Sequence, residues 1–194
     1  MVPSRSAERP PRLGPEERTL ALEQARGVIR HQVVGEAPRP WPSPLPEGLA
    51  APGASFVTLH LEQQLFGCMG TLEAWRSLAE DIESNAYAAA FRDPRARPLR
   101  APEVELLSVH ISVLGPTEPL PAASEKELLS RLQPGEDGLV LYEGSQRATF
   151  LPAVWETLPE PAQFLAALKR KAGLPASYWS RTLRFARYGV EAFP

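Results

Sequence analysis

Cysteine is nearly absent from this chain of 194 residues, in which Cys68 is the only one. A single thiol excludes an intramolecular disulfide and any zinc or iron–sulfur site built on several cysteines, and it fits a reducing compartment. A surplus of charge is missing too: 21 Lys and Arg stand against 23 Asp and Glu, for a formal net charge of -2. No broad field therefore favours nucleic acid or an anionic membrane, and any partner must be chosen by local chemistry. The opening stretch MVPSRSAERPPRLGP has no apolar signal core, and no later stretch reaches the about 18 consecutive apolar residues of a membrane span. These absences predict a soluble, unexported, cytoplasmic protein. No phosphate-binding loop, dinucleotide glycine fingerprint, nucleophile elbow or HExxH motif is present. Three scattered histidines and one cysteine have no metal-ligand spacing, so no metal or other cofactor is expected.

Proline is what the chain has in excess, and its 22 copies mark the joints. Residues 1–14, rich in Pro, Arg and Ser, predict a disordered tail because they carry too little apolar surface to offset ordering entropy. From Pro15 to about residue 34 the spacing of Leu22, Ala25, Ile29 and Val33 predicts a helix, with Glu16 and Glu17 near its positive N-terminus. Six prolines between 38 and 52 then predict an extended connector with neither helix nor central strand. SFVTLHL and LFGCMGT, separated by EQQ, predict a hairpin. A three-residue loop would pair Thr58 with Cys68 and leave His60 on the cysteine's face, whereas a two-residue turn would slip the register and send His60 to the other face.

Trp75, Leu78, Ile82, Ala86 and Ala89 predict a second helix over about 73–92, stopped at Asp93 by Pro94. ELLSVHISVL alternates cleanly and predicts a strand over 105–114. Ser124 and Glu127 open a short helix as in a capping box, GLVLYEG and QRATFLP form a second hairpin near Gly144, and Pro161 and Gly173 bracket a further helix. RTLRFARYGVEAF predicts one closing strand. The fold class is α+β: mixed, largely antiparallel β structure with helices packed around it. Residues 15–194 form a single domain with two sheet-containing halves, lobes of about 15–120 and 121–194, consistent with an internal duplication.

Six motifs in order, FVTLHLEQQLFGCMGT, SNAYAAAFRDPRARPL, VHISVLGP, GEDGLVLYEG, FLPAVW and FLAALKRKAGLP, give the chain a resemblance to the AMME chromosomal region family, the AmmeMemoRadiSam system protein A of bacteria and archaea, over roughly residues 16–193. The family's Leu-Arg-Gly-Cys-Ile-Gly signature falls on Leu65, Phe66, Gly67, Cys68, Met69 and Gly70, and its Asp-Pro-Arg motif on Asp93, Pro94 and Arg95. Phe66 stands where the family usually has arginine and Ala153 where it usually has glutamine, so two polar heads are lost. The resemblance implies an α+β fold, an activity that is not established, and a Memo-like protein and a radical-SAM protein as partners.

Two roles for Cys68 follow from its chemistry. It is a packed strand cysteine, or it is a thiol between two glycines that lets a ligand approach, with His60 as assisting base. The candidate catalytic residues are thus Cys68 and His60, and the candidate ligand-binding residues are Leu65, Phe66, Gly67, Met69, Gly70, Asp93 and Arg95. Because no acid–base set is visible, the expected function is an accessory or interaction protein that binds a small ligand or partner at a cleft around residues 67–70. The alternative is an enzyme with Cys68 as nucleophile or redox thiol. Lys169, Arg170 and Lys171 end a helix and read as charges complementing its dipole.

Overall fold

Leu13 is the first residue that the computed structural model describes, and the description runs from there to residue 194. The expected tail therefore lies, for residues 1–12, outside the described residues, while Leu13 is 3% exposed and part of a core. Along the chain run α1 (Pro15–Val34), α2 (Glu47–Ala50), β1 (Ser55–Leu61), β2 (Gln64–Gly70), α3 (Leu78–Phe91), a 3-10 turn (Ala101–Leu106), β3 (Leu107–Leu114), β4 (Glu118–Pro119), α4 (Glu125–Arg131), β5 (Gly138–Glu143), β6 (Gln146–Phe150), a second 3-10 turn (Pro152–Glu156), α5 (Pro161–Lys171), β7 (Arg184–Tyr188) and β8 (Val190–Phe193). The class is α+β with two four-stranded antiparallel sheets.

The chain divides into two compact units, one of residues 13–114 with Glu191–Pro194 and one of Gly115–Val190. In the first, the sheet runs β2-β1-β3-β8, and α1 and α3 cover one of its faces. In the second it runs β4-β7-β5-β6. Both repeat one order. The first strand of a hairpin is central, its partner takes the edge, and the strand after the following long helix pairs with it on the other side, β3 after α3 and β7 after α5.

Local chemistry fixes the ends of α1 and α3. The carboxylate of Glu17 accepts the Gly14 amide at 2.8 Å and the Gly48 amide at 2.9 Å, which starts α1 and ties it to α2. That short helix interrupts the expected proline connector, because Leu49 is drawn fully into the core. Helix α3 starts later than the periodicity predicts. Ser77 accepts the Glu80 amide and Glu80 accepts the Ser77 amide, a reciprocal cap that leaves Trp75 outside the helix and 70% exposed, under the guanidinium of Arg76.

The predicted single closing strand is two. Gly189 separates β7, which pairs with β5, from β8, which joins the sheet of the first unit and places Phe193 in its core. In the second unit α5 ends in a Schellman motif, with the Gly173 amide on Arg170 and the Leu174 amide on Lys169, and with Gly173 at φ 79. Lys169 lies in the last turn of α5, as its expected role beside the helix dipole requires, but it does not face solvent. It is fully buried, its ammonium donating to Glu125 at 2.7 Å and to the Ala176 carbonyl at 3.1 Å beside the Trp179 ring. Since Glu125 is 40% exposed and returns to water when unpaired, packing dominates: Lys169→Met should cost less than about 1.5 kcal/mol and Lys169→Ala about 2–4 kcal/mol in urea unfolding.

Candidate functional site

Cys68 sits on β2, and the turn before it decides what it faces. Glu62 and Gln63 close the β1–β2 hairpin as a two-residue turn with φ of 51 and 66, the left-handed pair such turns require. A simple ladder would then carry His60 off the cysteine's face. Instead a bulge intervenes: Leu61 pairs with Gln64 and His60 with Leu65, but Leu59 pairs with Gly67 and Thr58 with Cys68. The extra residue is Phe66, and it and Gly67 are buried in succession, as a bulge allows. The three-residue pairing is thus reached through a two-residue turn.

Across the sheet this register sets Cys68, Thr58 and His110 in one row. The Thr58 hydroxyl donates to the Cys68 sulfur at 3.2 Å, and the thiol is half-buried. His60 packs on His110, the two rings meeting edge to face with centroids 5.1 Å apart. Burial, then the neighbouring His60 and Arg26, push the pKa of His110 down.

Behind the row, β2 is an edge strand whose outward polar groups need partners. The Asp-Pro-Arg turn supplies them at Cys68. The Asp93 carboxylate accepts the Cys68 amide at 2.8 Å, and the Arg95 guanidinium lies 3.4 Å from the Cys68 carbonyl. Arg95 also grips Asp93 with Nε at 3.0 Å and Nη2 at 2.7 Å, while its own amide donates to the same carboxylate at 2.9 Å. Together the pair imitates one residue of a neighbouring strand. Gly67 lets the turn come this close, because a Cβ there would lie 2.1 Å from the Ala89 carbonyl oxygen at the end of α3.

The Arg95 guanidinium holds the Asp93 carboxyl well below the usual carboxylate range, with further help from the Cys68 and Arg95 amides against the cost of burial. Arg97 and Arg100 do the same to Glu103, Arg97 through two bonds of 2.7 and 2.8 Å. A depressed folded pKa means that the stability each carboxylate contributes is whole above about pH 4, the ordinary value, and is lost as pH falls through the depressed one. The difference in urea midpoint between the wild type and Asp93→Asn should therefore hold from pH 7 to about 4 and shrink below it.

The predicted site residues do not form one cleft. Gly67, Cys68, Asp93 and Arg95 come together, whereas Phe66 turns inward to the core, with Arg97 above its ring, and Met69 packs partly buried against the same core. Gly70 lies under Phe56, whose ring a Cβ would approach to 2.3 Å, so both flanking glycines are filled by the chain itself. Leu65 points outward and is 52% exposed, and the Arg95, Arg97 and Arg100 side chains are 62%, 51% and 74% exposed. A cavity of about 400 Å³ opens elsewhere in this unit, between α1 and the first 3-10 turn with β3, and Arg30 bridges Glu36 and Glu105 at its rim.

Sequence reasoning missed Asp81, which is fully buried at the head of the hairpin. It accepts the Ser55 amide and hydroxyl, the Thr71 hydroxyl, the Asn85 amide group and the Arg76 guanidinium, all within 2.7–2.9 Å. The signal was Asp81 and Asn85 at i and i+4 beside the apolar stripe of α3. Among the described residues no group of three or more His, Cys, Asp or Glu could hold a metal ion, and no helix is long and apolar enough to cross a membrane.

The AMMECR1 family model matches residues 22–193, which include the hairpin, the Asp-Pro-Arg turn and β8. The chain belongs to the AMMECR1 family. A protein of Methanocaldococcus jannaschii is 32% identical over 92% of this chain and 90% of its own length, and one of Methanothermobacter thermautotrophicus is 32% identical over 92% and 93%. The crystal structure of an uncharacterized protein of Pyrococcus horikoshii superposes with a TM-score of 0.79 at 28% identity, covering 89% of this chain and 88% of that one. Residues 65–70 and the Asp93-Pro94-Arg95 turn, both inside the matched range, thus meet at the backbone of Cys68.

Proposed function

We propose that this AMMECR1 protein is an accessory protein that binds a protein partner through the outer margin of β2, with Leu65 as apolar anchor and Arg95, Arg97 and Arg100 as its charged border. The observation that carries this reading is the commitment of the groups around the thiol: Thr58 donates to the sulfur, Asp93 and Arg95 hold the Cys68 backbone, and His60 packs on His110. A nucleophilic cysteine needs a base in reach, whereas a binding margin needs an exposed apolar residue bordered by arginine forks. The partners to test first are a Memo-like protein and a radical-SAM protein.

In size-exclusion chromatography of the purified pairs, wild type and Cys68→Ser should comigrate with one of these partners. Leu65→Asp and Arg95→Glu should elute alone. Loss of the complex in Cys68→Ser with Leu65→Asp unaffected would move the reading to a thiol enzyme.

A further inference from the structure

We propose that His60 and His110 form a binding site for a late first-row divalent ion such as Zn2+, with two imidazole ligands and the remaining positions open to water or an incoming ligand. This inference stands apart from the partner surface. Thr58 pairs with His110 and His60 with Ser108, so the two histidines are diagonal neighbours on the face of the sheet opposite Val57 and Leu59. Two strands of one ladder thus fix their spacing, which long flexible side chains could not.

That spacing fits a metal. With zinc–nitrogen bonds of about 2.0–2.1 Å and tetrahedral angles, two imidazoles on one ion have centroids about 5 Å apart, and the observed separation is 5.1 Å with the planes at 89°. Among the described residues no hydrogen bond engages a ring nitrogen of either histidine, and because His60 is half-buried and His110 exposed, an ion in solvent can reach both rings. Ligation needs the neutral imidazole, and although His110 is exposed on the sheet face, partial desolvation of its ring, then His60 and Arg26, favour the neutral form. The charge of Arg26 also opposes a cation, and with only two protein ligands the ion is exchangeable. Cys68 lies beyond Thr58 in the next strand and belongs to no three-ligand group.

The test is calorimetric titration of the whole chain with zinc chloride at pH 7.5. Wild type should show one saturable event with a single ion per chain. His60→Gln and His110→Gln should each weaken it at least about tenfold, with unchanged thermal melting in the absence of metal. Cys68→Ser and His31→Gln should bind as wild type does. No saturable binding, full binding in the double histidine variant, or loss of binding in Cys68→Ser would overturn the assignment.

Discussion

Replacing Asp81 with alanine should destabilise the first unit by about 3–5 kcal/mol, the cost of breaking a buried, hydrogen-bonded charge pair, read as a lower urea midpoint. Arg76 would lose its partner while only 17% exposed, and four other bonds would go with it. The bonds join three elements: Ser55 opens β1, Thr71 follows β2, and Asn85 lies one turn on in α3. The Ser55 amide is the group least able to find water, since Ser55 is itself fully buried. Asp81→Asn keeps the volume and some acceptor capacity, so it should fall between alanine and wild type. A cost below about 1 kcal/mol for alanine would mean that the network is replaceable by water.

Gly67→Ala should cost about 3 kcal/mol, at the upper end of overpacking penalties. The added methyl would sit 2.1 Å from a backbone oxygen, Ala89, in the last turn of α3, and backbone cannot rotate aside. Relief requires β2 and α3 to separate, which also draws Asp93 away from the Cys68 amide. Gly70→Ala is the control, because its methyl meets the ring of Phe56, a side chain that can turn. It should cost less by more than 1 kcal/mol in the same urea titration, again on the scale of overpacking penalties. Equal costs at the two glycines would contradict the close approach of helix and edge strand.

Much of this fold was legible because it is local. Pro15 and the apolar spacing marked α1, Ser124 with Glu127 marked α4, and Pro161 with Gly173 bracketed α5, since caps and turn residues act within a few positions. The long-range choices were not legible. Trp75 fits the stripe of α3 by spacing, yet the Ser77 cap excludes it. The bulge at Phe66 accompanies the packing of Gly67 on Ala89, 22 positions away, and one alternating tail divides at Gly189 between two sheets, with β7 inside one and β8 at the edge of the other. At the candidate site the structure brings Gly67, Cys68, Asp93 and Arg95 together, and it fills the space beside the glycines. The two glycines around Cys68 suggested room for a ligand, whereas Ala89 and Phe56 fill that room. Charge balance along the sequence also hid Lys169 and Asp81, whose partners lie 44 and 26 residues away, at Glu125 and Ser55.

Asp93, aligned by Arg95, closes the open edge of β2 at Cys68. Amide hydrogen exchange at Cys68 tests it most directly, measured by NMR on wild type and Asp93→Ala under conditions where both are folded. An edge amide facing solvent exchanges readily, whereas one donated to a buried carboxylate is protected. The account predicts a Cys68 amide as protected in wild type as the ladder amides of β1, and a loss of at least about tenfold in the variant, the equivalent of one lost hydrogen bond to a charged group, with the β1 amides unchanged. Fast exchange in wild type, or protection that survives without the carboxylate, would contradict it.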